Sequence, residues 1–308
     1  MSDPAASPRR LLHANLALLA TALFWGTHIP ASWILLATYQ PLEVTIGRYG
    51  LAVPLLFLLL SIETKATGAA PEKRSLFTLW LLGGVGIFGF ALSYTAGLGM
   101  AGQIQGALVS ASAPAVGVAV AWAMKGLRPD GPMRMALALA LAGALVGILG
   151  GHDVSQMTLP GIGEALMIFG NVMWSWYSLA AQDRLRGWSQ IRIATWTIAM
   201  AGATAFALAV ILILLGLIRV PPMPDATNAL ILAYLVVAPT ILGILGWNFG
   251  VRALGLPIAS LYLNLVPVTA VLTAVALGEA PNLWQLLGGT LIVAGIAQGQ
   301  YRRLRAAR

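Results

Sequence analysis

The sequence predicts an all-α polytopic membrane protein with ten transmembrane helices, arranged as two inverted repeats of five helices. Three observations predict this fold: long apolar runs, basic residues that alternate between loops, and an internal repeat. Hydrophobic residues make up 59% of the 308 residues and charged residues 9%, and the mean hydropathy of +0.84 is too high for a soluble domain. The first run, residues 11–36, can span a bilayer and is too long for a cleavable signal peptide.

The composition also excludes several classes of site. The chain contains no cysteine, which excludes disulfides, thiolate metal sites and cysteine nucleophiles. Its net charge of +8 comes from short basic blocks between apolar runs, a pattern that favours membrane orientation over nucleic-acid binding. We therefore expect no cofactor, metal or nucleic-acid partner; the expected partners are the lipid bilayer and a small-molecule substrate.

About 20 apolar residues are needed for each crossing of the bilayer. On that measure the helices lie near residues 11–35, 42–62, 76–98, 104–124, 132–150, 160–181, 191–217, 228–249, 256–278 and 282–301. Residues 11–150 form the first predicted repeat and residues 160–301 the second. Residues 1–10 and the basic residues 302–308 are predicted to be cytoplasmic tails.

The basic residues test this topology, because Lys and Arg concentrate in cytoplasmic loops. With a cytoplasmic N-terminus, all but two of the 18 basic residues fall in cytoplasmic segments. The two exceptions are Arg219, in an outer loop, and Arg48, within the second helix. A miscounted helix in mid-chain would destroy this alternation, so both termini are predicted to lie on the cytoplasmic side of the inner (plasma) membrane.

The stretch from Tyr94 to Met124 has a degenerate copy from Trp247 to Leu277. Each copy runs from an apolar segment through a glycine turn into a second apolar segment broken by proline. Seven residues recur in register: Gly97, Gly102, Leu108, Pro114, Val118, Ala121 and Ala123 match Gly250, Gly255, Leu261, Pro267, Val271, Ala274 and Ala276. Five crossings per repeat is an odd number, so the second repeat lies inverted, an architecture that places transporter sites near the midplane.

Two further matches extend the repeat beyond this stretch. Trp25 in the first helix matches Trp174 in the sixth. A GxxxG motif in the fifth helix matches one in the tenth, at Gly143 and Gly147 and at Gly295 and Gly299. Small residues at this spacing let helices approach closely, so helices five and ten are assigned to packing, either within the monomer or in a homodimer.

Three prolines inside predicted helices are candidate gating or kink residues. A helical proline removes one hydrogen bond and displaces the carbonyl four residues back. Pro30, Pro114 and Pro267 would free the carbonyls of Gly26, Ser110 and Leu263. The alternative is that these prolines merely bend their helices.

The few polar and aromatic residues at membrane depth describe a neutral, aromatic-rich cavity that can form hydrogen bonds. The candidate substrate-binding residues are Trp25, His28, Tyr94, Gln105, Ser110, Asn171, Trp174, Tyr177, Asn248, Tyr262 and Asn264. Their rings would stack on an apolar side chain and contact an ammonium through cation–π interactions. The competing interpretation is that Ser bonds its own helix and that Trp and Tyr belong to interfacial belts.

Ionisable residues bear on the driving force. None of the ten carboxylates lies at the predicted midplane, where a proton-coupled pump usually holds one. The sequence therefore favours a facilitator, with His28 either a wall residue or the one plausible buried proton carrier. Glu43 and Arg48 stand five residues apart and are poorly placed to pair with each other. Either could meet a zwitterion at the outer mouth or pair with another helix.

Two stretches resemble the signatures of a known family: Ala22 to Ser32, and Leu277 to Glu279 with Trp284 to Gly289 and Gly295. The chain is similar to the EamA family of the drug/metabolite transporter superfamily, and its aromatic pattern looks most like that of bacterial aromatic amino acid exporters. The resemblance covers nearly the whole chain. It implies ten helices, inverted repeats, a central cavity walled mainly by helices 1, 3, 4, 6, 8 and 9, and export of amino acids and related metabolites.

The first repeat departs from the family pattern at its end. It has Lys125 and Gly126 where the second repeat has Gly278 and Glu279. Glu279 is therefore not expected to act as one of a symmetric pair.

Together these observations predict a non-enzymatic transporter that exports neutral amino acids, aromatic ones included, by alternating access. One alternative is a drug/metabolite or nucleotide-sugar transporter, although a nucleotide sugar needs buried cations for its phosphates and only Arg48 is available. Another is a non-transporting membrane receptor. An intramembrane enzyme would need a midplane carboxylate pair, a Ser–His constellation or an HExxH site, and the three histidines are scattered.

Overall fold

A computed structural model describes residues 8–68, 73–149, 161–266, 268–269, 273 and 283–306, and this part of the chain contains helices and turns but no strands. The helices are α1 (Pro8–Leu36), α2 (Pro41–Thr67), α3 (Leu76–Trp80), α4 (Phe88–Lys125), α5 (Gly131–Leu149), α6 (Ile162–Arg184), α7 (Gln190–Leu214), α8 (Ala226–Leu235), α9 (Gly243–Leu254), α10 (Leu256–Tyr262) and α11 (Leu283–Ala306). Two π-helical stretches, Leu81–Ile87 and Val236–Leu242, join α3 to α4 and α8 to α9.

Five helical segments of the described chain are long and apolar enough to cross a membrane. They are Arg9–Leu36, Pro41–Thr67, Leu76–Ala101, Gln190–Leu214 and Ala226–Leu254. Large apolar side chains such as Leu58, Phe206 and Leu230 are exposed on them, as expected of residues that face lipid tails. The prediction of an all-helical, multi-pass membrane protein is therefore confirmed.

The predicted helices 76–98 and 104–124 differ from the structure in their boundary. The backbone stays helical from Leu76 to Lys125, so the glycine turn predicted at Gly102 is wrong. α4 nevertheless contacts α6 at two separated places. A methyl group on Gly97 would collide with the Gly163 carbonyl, whereas one on Gly117 would lie 3.8 Å from Ser175 Oγ, twelve residues further along α6.

The predicted helix 256–278 is interrupted. The glycine turn predicted at Gly255 is present, with a φ of +80° that L side chains rarely adopt. α10 ends at Tyr262, and the next residues form a turn in which the Val266 N–H donates to the Leu263 carbonyl at 3.1 Å. Pro267, which was predicted to free that carbonyl, lies outside the described residues.

The other two prolines do not break their helices. α1 continues through Pro30 and α4 continues through Pro114, so the predicted break of the fourth helix at Pro114 is wrong. A single missing hydrogen bond can be tolerated inside a long helix when its neighbours keep theirs.

The two halves of the chain pack together in matched pairs. α1 packs on α9 and α6 on α4, while α2 packs on α7 and α5 on α11. The contacts also match in detail. A methyl group on Gly97 would collide with Met167, and one on Gly250 would collide with Leu18. Leu18 and Met167 are separated along the chain by the same number of residues as Trp25 and Trp174. A twofold relation between the halves predicts this correspondence.

The fifth helix of the sequence prediction, α5, packs against the last helix within the same chain. A methyl group on Gly143 would lie 2.6 Å from the Gly288 carbonyl oxygen and 2.8 Å from Leu291 Cβ. The small residue thus allows α5 and α11 to approach closely. The packing role predicted for helices five and ten is at least in part an intramolecular one.

We expect Gly97→Val to destabilise the protein, because the added side chain meets the backbone of Gly163 and Met167 on α6 and overpacking costs roughly 1–3 kcal/mol. The apparent melting temperature of the purified protein in detergent should fall by several degrees. Gly99→Val is the matched control, since nothing lies within 4 Å of a Cβ there. Equal melting temperatures for the two variants would contradict the close approach of α4 and α6.

Candidate substrate cavity

A cavity of about 100 Å³ lies between the two halves of the chain. α1, α2, α4 and α6 line one part of it, and the second π-helical stretch, α9 and residues after α10 line the rest. The lining residues are Trp25, His28, Ile29, Arg48, Tyr49, Phe90, Tyr94, Ala113, Asn171, Trp174, Pro239, Ile244, Leu263 and Val266. Both halves therefore contribute to the wall of one mostly apolar cavity.

Three tryptophans, which we call the tryptophan cluster, meet at one end of the cavity. The Trp25 ring centroid lies 5.3 Å from that of Trp174, with the rings edge to face, and 5.3 Å from that of Trp247. Trp25 Nε1 also donates to the Pro239 carbonyl at 3.0 Å. Trp25 and Trp174 were matched as repeat-related residues, and they contact each other directly across the boundary between the halves.

Two hydrogen-bond donors on α6 are buried and have no partner in the described part of the chain: Asn171 Nδ2 and Trp174 Nε1. The residues stand three positions apart, which places them on one face of the helix, and both line the cavity. A buried donor without an acceptor costs free energy. These two donors are therefore candidates to bind oxygen atoms of a ligand.

Arg48 projects from α2 to the cavity wall, where it is held by neutral partners. Its Nη1 donates to His28 Nε2 at 2.5 Å, and its Nε and Nη2 lie 3.3 and 3.2 Å from Thr240 Oγ1. Ser32 Oγ also lies 3.2 Å from His28 Nε2. Because a guanidinium can only donate, His28 Nε2 is an acceptor and its ring hydrogen is on Nδ1.

Glu43, five residues before Arg48 on α2, has a local role. Its Oε2 accepts a hydrogen bond from the Gln40 backbone N–H at 2.8 Å and so caps the start of α2. It does not line the cavity. Arg48 does contact other helical segments, at His28 and Thr240, while contact of either residue with a zwitterion stays a prediction.

A buried polar layer adjoins the tryptophan cluster, one turn beyond Trp174 on α6 and at Trp247 and Asn248 on α9. Trp247 Nε1 donates to Ser178 Oγ at 2.8 Å, and Asn248 Nδ2 donates to the Tyr177 hydroxyl at 3.4 Å. The Tyr177 hydroxyl also lies 3.3 Å from Thr197 Oγ1. The layer lies on the side of the cavity toward the start of α1, since Gly250, further along α9, packs on Leu18 of α1.

The predicted substrate-binding residues are thus divided by the structure. Trp25, His28, Tyr94, Asn171 and Trp174 line the cavity. Four others do not line it. Tyr177 and Asn248 belong to the polar layer, the Tyr262 hydroxyl donates to Asn15 Oδ1, and Asn264 Nδ2 donates to the Leu261 carbonyl at 3.1 Å. Tyr177, Asn248 and Tyr262 thus bond side chains of neighbouring helices, whereas Asn264 bonds the backbone three residues back.

Other predicted positions lie beside the cavity or are not described. Pro30 is exposed next to Ile29, and Pro114 is buried next to Ala113. The side chains of Gln105 and Ser110 lie outside the described part of the structure. Substrate binding by the lining residues and gating by the prolines remain predictions.

Sequence reasoning missed several lining residues, among them Tyr49, Phe90 and Pro239. Phe90 could have been found from the repeat, because it matches Gly243 in the second half. The Phe90 ring contacts Trp174, and Gly243 lies against Trp25. Arg48 carried its own signal, a charge within a predicted membrane helix. No group of His, Asp and Glu able to hold a metal occurs among the residues that the structure describes.

A multi-pass helical protein with a cavity at the boundary of two matched halves belongs, by fold and site, among membrane transporters. The model of the EamA-like transporter family matches residues 12–149 and 161–298. The chain belongs to this family, as its resemblance to the family signatures predicted.

Two curated relatives cover nearly the whole chain. An uncharacterized transporter of Bacillus subtilis, YyaM, is 25% identical over 92% of both chains. A protein of Streptantibioticus cattleyicolor named as a probable terminal-alkyne amino-acid exporter is 25% identical over 93% of both chains. A solved crystal structure with 20% sequence identity has a TM-score of 0.75 and covers 94% of this chain and 98% of that one, which shows a shared fold.

Proposed function

We propose that this transporter exports neutral amino acids, aromatic ones included, and related metabolites by alternating access, and that it has no catalytic activity or cofactor. The observation that carries the proposal is the cavity at the boundary of the halves, where Trp25 and Trp174 meet beside the unpartnered Asn171 amide. Aromatic rings suit an apolar side chain and an ammonium. The relative named as a probable amino-acid exporter supports this substrate class.

We assign the topology as ten crossings in two inverted repeats, residues 11–150 and 160–301, with both termini cytoplasmic in the inner membrane. The matched helix pairs support the duplication, and so do the two π-helical stretches, which begin at Leu81 and at Val236 in corresponding parts of the two halves. The positions of the basic residues support the orientation. In this orientation the polar layer lies on the cytoplasmic side of the cavity, and we infer that this conformation is closed toward the cytoplasm.

The size of the cavity limits what this conformation can hold. Its volume of about 100 Å³ is smaller than the roughly 150 Å³ of an engineered cavity that binds benzene. A small neutral amino acid fits with little change, while an aromatic one requires the cavity to widen during the cycle. A homodimer would have to use faces of α5 and α11 other than those that pack together at Gly143.

The substrate assignment is tested by counterflow in proteoliposomes. Labelled phenylalanine and threonine should accumulate in vesicles preloaded with the same unlabelled amino acid, and protein-free vesicles should show none. Flux of a dye or a sugar without flux of any amino acid would favour a drug or nucleotide-sugar transporter. Specific binding without any flux would indicate a receptor.

We expect transport to be independent of an imposed proton gradient, as in a facilitator. His28 Nε2 already accepts from Arg48 at 2.5 Å, and the cavity lining that the structure describes contains no Asp or Glu. The initial rate of phenylalanine counterflow should therefore change by less than twofold when a pH gradient is applied in either direction. A twofold change corresponds to a free-energy difference of about 0.4 kcal/mol. Gradient-driven accumulation that a protonophore abolishes would contradict the facilitator assignment.

A further inference from the structure

We propose that the cavity recognises the carboxylate of its ligand and does not require the ammonium, so that it binds apolar monocarboxylates without an amino group as well as amino acids. The inference rests on the proposed function in one respect, since it takes the same cavity as the substrate site. It goes further by naming which end of the substrate is obligatory.

The first argument is the number of donors on Arg48. A guanidinium carries five N–H groups, and three of them are used by His28 and Thr240. Two N–H groups of the Nη atoms have no partner among the described residues. A carboxylate accepts two hydrogen bonds from such a fork, which makes the interaction specific as well as strong.

The second argument concerns the hydrogen-bond donors of the cavity that lack an acceptor. Asn171 Nδ2 and Trp174 Nε1 are buried without an acceptor. His28 carries its ring hydrogen on Nδ1, because Nε2 accepts from Arg48. A ligand rich in oxygen acceptors satisfies these groups, while an ammonium, which can only donate, satisfies none of them.

The third argument is the uncompensated charge. Both ion pairs that the described part of the chain contains involve Asp183, far from Arg48 in sequence and outside the cavity. A cation at membrane depth is costly and usually has a functional reason. A carboxylate neutralises the charge of Arg48, whereas an amine without a carboxylate would add a second cation to the same small cavity.

The test compares three probes that share a phenyl ring. 3-Phenylpropionate has the carboxylate alone, phenylalanine has the carboxylate and the ammonium, and phenethylamine has the ammonium alone. Titration calorimetry on the full-length protein in nanodiscs measures their binding. We expect 3-phenylpropionate to bind within about tenfold of phenylalanine, and phenethylamine to bind at least tenfold more weakly than either.

Variants then locate the carboxylate. Arg48→Gln should weaken 3-phenylpropionate binding by about tenfold or more and leave phenethylamine binding unchanged or improved, because the loss acts on the charged hydrogen bonds. Arg48→Lys should recover part of the affinity, since it keeps the charge but not the fork. Arg219→Gln, which removes an exposed cation, is the matched control and should bind all three probes as the parent does.

Each outcome separates this inference from the proposed function. Phenethylamine binding as tightly as 3-phenylpropionate, no binding of 3-phenylpropionate at millimolar concentration, or unchanged affinity in Arg48→Gln would overturn the inference even if amino acids are transported. Binding of 3-phenylpropionate that depends on Arg48, in a protein that shows no amino acid counterflow, would uphold the inference and refute amino acid export. The parent protein alone decides the first comparison, so a misfolded variant does not remove the test.

Discussion

A disulfide between Gly117→Cys on α4 and Ser260→Cys on α10 is expected to abolish transport, and a reducing agent is expected to restore it. A Cβ atom on Gly117 would lie 3.1 Å from Ser260 Cβ, slightly below the roughly 3.5–4.5 Å of a disulfide, so the two helices must move apart by a few tenths of an ångström to accept the bond. Gly117 lies one helical turn after Ala113, and Ser260 lies just before Leu263 in the chain. Ala113 and Leu263 both line the cavity. The bond would therefore join the halves just beside the cavity, on the side of the polar layer.

The physical reason is that alternating access requires the closed side to open. α4 belongs to the first half and α10 to the second, and we expect opening toward the cytoplasm to separate them. A covalent bond cannot stretch, so the protein would stay in the conformation described here. Because the chain has no cysteine of its own, the introduced pair is the only one that an oxidant can join.

The measurement is phenylalanine counterflow in oxidised and reduced proteoliposomes, with the extent of disulfide formation followed by thiol labelling on gels. The two single-cysteine variants are the controls and should transport equally under both conditions. Full cross-linking with undiminished counterflow would show that α4 and α10 stay together during transport, and the proposed direction of opening would be wrong.

Trp25→Ala is expected to reduce kcat/KM for phenylalanine by at least tenfold, or about 1.4 kcal/mol. The Trp25 ring contacts Trp174 and Trp247 and donates to the Pro239 carbonyl. Aromatic pairs contribute about 0.5–1.5 kcal/mol each beyond their burial, and a buried hydrogen bond adds about 1 kcal/mol. The substitution removes all three contacts and one wall of the cavity.

Two further variants separate substrate contact from folding. Trp33→Ala on the same helix removes a side chain that is 37% exposed, and it should leave transport and melting temperature nearly unchanged. Trp25→Phe keeps a ring but loses the hydrogen bond, and an intermediate effect is expected. If Trp25→Ala were as active as Trp33→Ala, the tryptophan cluster would have no part in transport.

The repeat was the part of the fold that the sequence predicted best. The match of Trp25 with Trp174 becomes a direct ring contact, and the match of Gly97 with Gly250 becomes a pair of equivalent close approaches between helices. Glycines and tryptophans carried this signal because each is required by a specific contact. The glycine turn expected at Gly102 was wrong, because α4 is helical from Phe88 to Lys125 and a glycine can be accommodated inside a long helix.

The site was predicted less completely, and the reason lies in the solvent. On a soluble helix, an apolar stripe shows which side faces the core. On a membrane helix both the lipid-facing and the protein-facing sides are apolar, so the sequence could not show that Tyr177 and Asn248 pair with each other while Asn171 faces the cavity.

By itself the sequence determined the helical membrane class, the family and the repeat-related pairs, because these follow from composition, from signature residues and from spacing along one chain. Only the tertiary structure decided that Arg48 lies beside His28 on the cavity wall and that Glu43 caps its helix. Those assignments depend on how α1, α2 and the second π-helical stretch are rotated about their axes. That rotation is set by packing between helices, which no single segment encodes.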